Sequence, residues 1–381
     1  MADVTPDPII RIALGFMAAK HLFVASAIGL FEALTGGPAT LDELAGKCGV
    51  PRRTLAISAD AMVSLGLVER NGDRLCNGAV AAAFLAGKPG PDMRPMLRFM
   101  NHISYGLWTN LEAAVRAGEG RRQFGGFTAE QQEIFSAGVE AFTAASAAAL
   151  AANYDFARHR RVLDVARGTG SFLIPVLRRH PALQATLFEL PGACAVARQR
   201  LAGEPDGARI AVVEGDFFTD PLPGGHDVLI VANTVHVLSV AHNLDLLKAM
   251  RAGVGADARL LLVDLWMDPT HTQPPAAPLM SGEFLVMSGE GQAYSEDQAD
   301  AWLGQTGWRK SSADHWPGPR ARSSPKRSDR HPARYCEERS EGPWRVGDWL
   351  AMDDPRDPSA VSRMAANGAS RSFPCASTKV P

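Results

Sequence analysis

Cysteine is scarce in this chain of 381 residues, and none of the five present is placed to work with another. Cys48, Cys76, Cys194, Cys336 and Cys375 form no CxxC pair and show no metal-ligand spacing, so neither a zinc site nor a disulfide framework is expected. Net charge is nearly absent as well, with 39 Lys+Arg against 41 Asp+Glu. No uninterrupted apolar run reaches the ~18 residues of a membrane span. The opening MADVTPDPII carries acid where a secretory leader carries base. These absences predict a cytoplasmic protein with reduced thiols and no membrane partner.

The near-zero charge conceals two unlike pieces. From His315 onward there are 12 basic and 8 acidic residues, against 27 and 33 in residues 1–314. Nine of the 26 prolines fall in that last stretch, where only seven residues are Ile, Leu, Val, Met or Phe. Such a segment buries too little apolar surface to offset its ordering entropy, so the tail from 313 to 381 is expected to be disordered or aberrant. The acidic body argues against a nucleic-acid partner held by phosphate neutralisation. At about 314 residues the body has room for roughly two domains.

Ile9–Leu34 places apolar groups at helical spacing and stops at Gly36-Gly37-Pro38. Thr40-Leu-Asp-Glu43 is a capping-box pattern, and the short helix it opens should end near Gly49. Pro51 starts another helix, to about Leu65. Val68–Leu75 then reads as a hairpin turning at Asn71-Gly72. Helices followed by a hairpin are the order of a winged helix. Between Leu41 and Leu75 five bases balance five acids, so the module lacks the basic footprint of a groove binder and reads as structural or dimerising. Residues Met93–Tyr154 read as Ala-, Phe- and Met-rich helices joining two domains.

From Arg161 strands and helices alternate. Apolar runs at Val162–Val165, Ala185–Leu190, Ile210–Val213, Val228–Ala232 and Leu260–Leu265 predict a parallel sheet covered on both faces. The first strand ends in VLDVARGTG and runs into a helix at Ser171–Arg179. A small-residue turn there lets backbone N–H groups approach a ligand closely. Glu189 ends the second strand, where a carboxylate can accept from ribose hydroxyls. Glu214-Gly-Asp-Phe-Phe218 follows the third, offering an acid for an exocyclic amine and a ring for a base. Three successive strand ends thus read as an adenosyl site, although Asp164 could simply tie its own turn and Glu189 could be a solvated strand end.

Together VLDVARGTG, LFELP, VEGDFF and ANTVHVLSVAHN, after a neutral winged helix, resemble the S-adenosylmethionine-dependent O-methyltransferases of plant phenylpropanoid and bacterial antibiotic pathways. The resemblance spans nearly all of residues 9–308. It implies a mainly α N-terminal winged-helix dimerisation domain (9–90), connecting helices (91–158) and an α/β Rossmann-like methyltransferase domain (159–312). It also implies a homodimer, S-adenosyl-L-methionine as cofactor, and a small hydroxylated aromatic substrate. By that resemblance the cofactor residues are Asp164, Ala166, Gly168, Glu189, Asp216, Phe217 and Asn233. Ala166 and Arg167 stand where the family usually has glycine, and a long Arg167 side chain could crowd the methionine end. His236 falls on the family's general base, and Asp264 on one of two carboxylates that orient it. The second falls near Ala293, with Glu290 a possible replacement. His242 reads as an exposed helix-start residue.

The acceptor pocket is expected between the sheet and the middle helices. Phe99, Met100, Tyr105, Trp108, Met280, Phe284 and Met287 are candidate walls, each also compatible with plain core. The stretch MSGEFLVMSGEGQAY most resembles bacterial enzymes that methylate hydroxynaphthoates and related polyketide aromatics. Arg11, the base on an otherwise apolar first helix, could meet an acceptor carboxylate or face solvent. Two other functions stay open: the same scaffold recruited to another reaction, or a winged-helix regulator that senses the cofactor. In the tail, neither of the two strands that normally close such a sheet is expected. With G in each third codon position, TCN serines and a CGN arginine at 327, a shifted frame through residues 322–329 would encode Val-Val-Ala-Glu-Ala-Val-Gly, an apolar strand, so the tail reads as out-of-frame translation beginning between about Trp308 and Arg322.

Overall fold

The computed structural model describes residues 4–87, 89–166, 168–314 and 348–353. Pro8 and Asp7 open the first helix, Asp7–Ala27. The single helix expected to Leu34 is broken at Gly29, whose φ of 75° ends one helix and begins another, Leu30–Ala33. The Thr40 capping box forms: Glu43 N–H donates to Thr40 Oγ1 at 3.2 Å, and Thr40 N–H donates to Glu43 Oε2 at 2.7 Å. It opens helix Leu41–Cys48, which stops at Gly49 in the left-handed region. Helix Arg52–Ser64 follows Pro51.

A short strand β1 (Ala39–Thr40) and a hairpin of β2 (Val68–Asn71) and β3 (Arg74–Asn77) make an antiparallel sheet in the order β1-β3-β2. Helices before the hairpin are in winged-helix order. Leu30, Phe31, Leu44, Leu55, Met62 and Leu75 seal this core. Helix Asp7–Ala27 contributes little to it, leaving Ile9, Ile10, Ile12, Leu14, Phe16 and Met17 exposed. That helix and Ala129–Asn153 are long and apolar enough, by length and composition, to cross a membrane, although no unbroken apolar run announced them. Much of the second is buried inside the protein.

The middle segment contains a π-helical stretch, Met100–Ser104, and the long helix Ala129–Asn153, which a second capping box opens at Thr128. Beyond it five strands run parallel: β4 (Arg161–Val165), β5 (Gln184–Glu189), β6 (Ile210–Glu214), β7 (Val228–Ala232) and β8 (Arg259–Asp264). Every residue of β7 and β8 is buried, as strands covered on both faces require. The sheet order is β6-β5-β4-β7-β8-β10-β9. The order in which strands are added reverses between β4 and β7, which stay parallel, and the carboxyl ends flanking that switch are where open α/β sheets bind ligands.

The sheet is not left open, contrary to the expectation from composition. Arg309–Asp314 (β9) pairs antiparallel with Asp348–Asp353 (β10), which pairs antiparallel with β8. Six residues suffice for a strand held by backbone hydrogen bonds, and a composition averaged over the whole tail hides them. The segment 322–329 lies outside the described residues, as does the tail apart from 313–314 and 348–353.

Candidate active site

The turn after β4 is tight because three residues adopt positive φ: Ala166 at 58°, Gly168 at 65° and Gly170 at 74°. Ala166 does so against its Cβ. Ala166 N–H donates to Phe188 O at 3.0 Å, and Thr234 Oγ1 donates to Ala166 O at 3.1 Å, which pins the turn to the ends of β5 and β7. Arg167 is outside the described residues. Glu189 reaches across from β5, where its carboxylate accepts from Gly168 N–H at 2.8 Å and Leu190 N–H at 2.7 Å. A carboxylate fixed by two backbone donors is presented in one orientation.

After β6, Asp216 Oδ1 accepts from Phe218 N–H at 2.9 Å, and the rings of Phe217 and Phe218 meet at 4.3 Å. Asn233 ends β7 at φ 52°, its backbone N–H held by Val263 O at 2.7 Å. Its amide Nδ2 is buried without a hydrogen-bond partner among the described residues. Asp164 is fully buried beneath the turn.

His236 lies in a 3-10 turn, Val235–Val237, just past Asn233. Its Nδ1 is 2.5 Å from Asp264 Oδ1, which also accepts from Leu265 N–H at 2.7 Å. Phe284 stacks on the imidazole at 3.8 Å between centroids and an interplanar angle of 16°. A carboxylate at Nδ1 makes that nitrogen the proton donor, so Nε2 carries the lone pair.

Glu290 does not serve His236. Its Oε1 lies 2.7 Å from Nδ1 of His242, whose exposed ring packs on Phe218 at 4.8 Å. Ala293, where a second carboxylate was sought, is fully buried. Asp264 is the one carboxylate that pairs with His236 among the described residues.

These groups share one cavity of about 1060 Å³. Ala166, Gly168, Glu189, Asp216, Phe217 and Asn233 line one part, while His236, Asp264, Met280, Phe284, Met287, Phe99 and Met100 line another. Tyr105 is turned away, packed edge-on against Phe23. Arg11 lies on the exposed N-terminal helix and Trp108 meets the site only through Glu283; neither lines the cavity.

Glu283 was missed from the sequence, although a lone acid within the apolar helix Ala276–Ser288 was a visible signal. It is 4% exposed and lines the cavity. Burial raises its carboxyl above the ordinary value, opposed by hydrogen bonds from Ser104 and Trp108. Glu140, in the Ala-rich helix Ala129–Asn153, was missed as well. It accepts from Thr169 Oγ1 at 3.1 Å and from Arg200 Nη2 at 2.6 Å, joining helix Ala129–Asn153 to the turn.

Sheet order and a cavity at the switch point place the chain among doubly wound α/β enzymes with an added helical domain. The chain belongs to the O-methyltransferase family: an O-methyltransferase domain matches residues 108–309 and an O-methyltransferase dimerisation domain matches residues 10–87. It is 32% identical over 312 residues to 3-hydroxy-5-methyl-1-naphthoate 3-O-methyltransferase of Streptomyces sahachiroi, covering 79% of this chain and 89% of that one. It is 27% identical over 310 residues to the tetracenomycin polyketide synthesis 8-O-methyl transferase TcmO of Streptomyces glaucescens, covering 80% and 91%. Human N-acetylserotonin methyltransferase, solved with S-adenosylmethionine, superposes with a TM-score of 0.77 at 20% identity over 93% of this chain and 99% of that chain. The chain is an S-adenosylmethionine-dependent O-methyltransferase. The residues present fit that cofactor, since an Asn233 Nδ2 unpartnered among the described residues, a Gly168 with open space at its Cβ position and the oriented Glu189 all border the cavity.

Proposed function

We propose that this enzyme methylates a phenolic hydroxyl of a small polyketide- or naphthoate-like aromatic, with His236 as general base. The observation that carries the reading is the Asp264–His236–Phe284 stack beside the cofactor turn in one cavity. Bound S-adenosylmethionine supplies an electrophilic methyl group on a sulfonium. A phenol with a pKa near 10 is a weak nucleophile at neutral pH, and Nε2 of His236 takes its proton as the oxygen attacks. Asp264 fixes the Nδ1–H tautomer and balances the imidazolium that forms. Phe284, Met280 and Met287 give a flat aromatic a dry wall, and holding the two reactants together supplies much of the rate. Gly168, Glu189, Asp216, Phe217 and Asn233 hold the cofactor, with Asp164 and Ala166 shaping the turn. Similarity to the naphthoate and tetracenomycin enzymes supports an aromatic acceptor.

The exposed apolar face of helix Asp7–Ala27 and the dimerisation-domain match support a homodimer through the N-terminal domain. Light scattering checks that state. Function is checked by incubating the protein with methyl-labelled S-adenosylmethionine and a panel of hydroxynaphthoates, flavonoids and catechols. Label on an oxygen of at least one, lost in His236→Ala, is expected. Cofactor binding without transfer to any of them would remove the proposal, and transfer that His236→Ala leaves unchanged would remove the base assignment.

A further inference from the structure

Glu283 sits one residue before the phenylalanine that stacks on His236, in the wall of the same cavity. Both hydrogen bonds it receives go to one oxygen. Ser104 Oγ donates to Oε2 at 2.6 Å and Trp108 Nε1 donates to Oε2 at 2.5 Å. The other oxygen, Oε1, is buried with no partner among the described residues.

The machinery that holds Oε2 is specific. Ser104 ends the π-helical stretch Met100–Ser104, a local irregularity often found at functional sites. The Trp108 ring lies against Gly282, where a Cβ would come within 2.8 Å of it. Two donors on one oxygen hold the carboxyl group in one rotamer and oppose the rise that burial gives its pKa. A buried acceptor with no donor costs stability, and a purely structural role for Glu283 is already served through Oε2.

We propose that Oε1 of Glu283 is a specificity group that accepts a hydrogen bond from a second donor on the acceptor, selecting dihydroxylated aromatics over those with a single hydroxyl. This deepens the proposed function and rests on it. Glu283 is not part of the proton transfer: His236 takes the proton from the hydroxyl that is methylated, and Glu283 binds the other one. An ether or hydrogen at that second position leaves Oε1 desolvated and unpaired, which is the strongest form of discrimination a polar pocket exerts. A hydrogen bond to a charged group is worth on the order of ten- to a hundred-fold in affinity.

The test uses the full-length protein saturated with S-adenosylhomocysteine, so binding is read without turnover. Calorimetry compares 1,3-, 1,6- and 2,7-dihydroxynaphthalene with their monomethyl ethers. At least one diol should bind about ten-fold or more tightly than its ethers. Glu283→Gln keeps the shape, but its carbonyl must face Ser104 and Trp108, so its NH2 replaces the acceptor at Oε1 with a donor. That variant should lose the preference for the diol or favour the ether, while its affinity for S-adenosylhomocysteine stays unchanged. If the ethers bind as well as the diols and are methylated, the function stands and the role of Glu283 is wrong. An equal diol preference in Glu283→Gln overturns that role as well. If neither diols nor ethers bind, the aromatic acceptor class fails and the inference fails with it.

Discussion

Nδ1 of His236 lies 2.5 Å from Oδ1 of Asp264, and that carboxylate oxygen is itself fixed by the backbone N–H of Leu265. Asp264 ends β8 and His236 lies in the 3-10 turn that follows the adjacent parallel strand β7, so sheet register brings the two segments side by side. Ala232 pairs with Val263 in that register, which brings the segment after β7 beside the last residue of β8.

Removing either member should therefore damage chemistry without damaging cofactor binding. His236→Ala is expected to lower kcat by about 10²–10⁴-fold, the usual contribution of a general base. Asp264→Asn offers an amide that can donate to Nδ1, which would put the ring proton on Nε2 and remove the base. A comparable loss is expected, and the double variant should be little worse than the single ones because the two act as a unit. Single-turnover rates with calorimetric cofactor affinities decide the matter. Fully additive losses would show that the two residues act independently.

Ala166 carries strain that a glycine would not. Its φ of 58° costs an L-residue roughly 1 kcal/mol or more, whereas Gly168 sits at 65° without penalty. Ala166→Gly should therefore raise stability by about 1 kcal/mol, less the extra entropy of its unfolded chain. Gly168→Ala should lower it by a similar amount, since a Cβ there meets nothing within 4 Å and the cost is conformational alone. Urea unfolding monitored by circular dichroism measures both. A destabilised Ala166→Gly would mean that the methyl group packs better than the backbone strains.

Where local chemistry fixes an element, the sequence was legible. The Thr40 box, the Gly49 stop, the hairpin at Gly72 and all five parallel strands lie within a residue or two of their expected places. The cofactor turn was legible because φ > 0 demands small residues at fixed offsets from a strand. Long-range pairing was not. Nothing near Glu290 tells that it meets His242 rather than His236. Glu283 stood out as the single acid of an apolar helix and Glu140 as an acid in the Ala-rich part of another, but their partners are 179 and 60 residues away, at Ser104 and Arg200. Strand β10 was hidden because composition was averaged over a segment far longer than itself.

Glu140 links two helices to the cofactor turn, and its loss should be felt in binding. Arg200 Nε and Nη2 both donate to it, and Thr169 Oγ1 adds a bond from the turn itself. The pair is partly exposed, at 32% for Arg200 and 24% for Glu140, so solvent screening holds the ion pair alone to about 1 kcal/mol. The Thr169 bond is what reaches the site. Glu140→Gln should weaken S-adenosylmethionine binding several-fold and leave kcat at saturating cofactor nearly unchanged. Thr169→Val should reproduce the binding defect with a smaller loss of stability. Equal cofactor affinities in all three proteins would confine Glu140 to helix packing.

His159 makes the fold acid-sensitive. Its side chain is 6% exposed, its Nε2 is 2.8 Å from Tyr154 Oη, and its ring stacks on that tyrosine at 5.6 Å. Burial holds its pKa down at about 4, with Asp227 opposing and Arg158 and Arg259 assisting. Burial also lowers His226, whose ring bridges Pro223 O and Thr186 Oγ1. The unfolded chain takes up a proton at His159 near pH 6.5 and the folded chain only near 4, so the unfolded state binds more protons between those values. Stability should therefore be at its full value above pH 6.5 and fall as the pH drops toward 4, with His159 accounting for roughly 3 kcal/mol across that window. In His159→Asn the melting temperature is expected to be lower at pH 7.5, because the tyrosine stack is lost, but to decline less between pH 7.5 and 5 than in the unaltered protein. Thermal melts at half-unit intervals read the two slopes directly. Parallel curves would show that His159 titrates alike in both states and that the acid sensitivity comes from elsewhere.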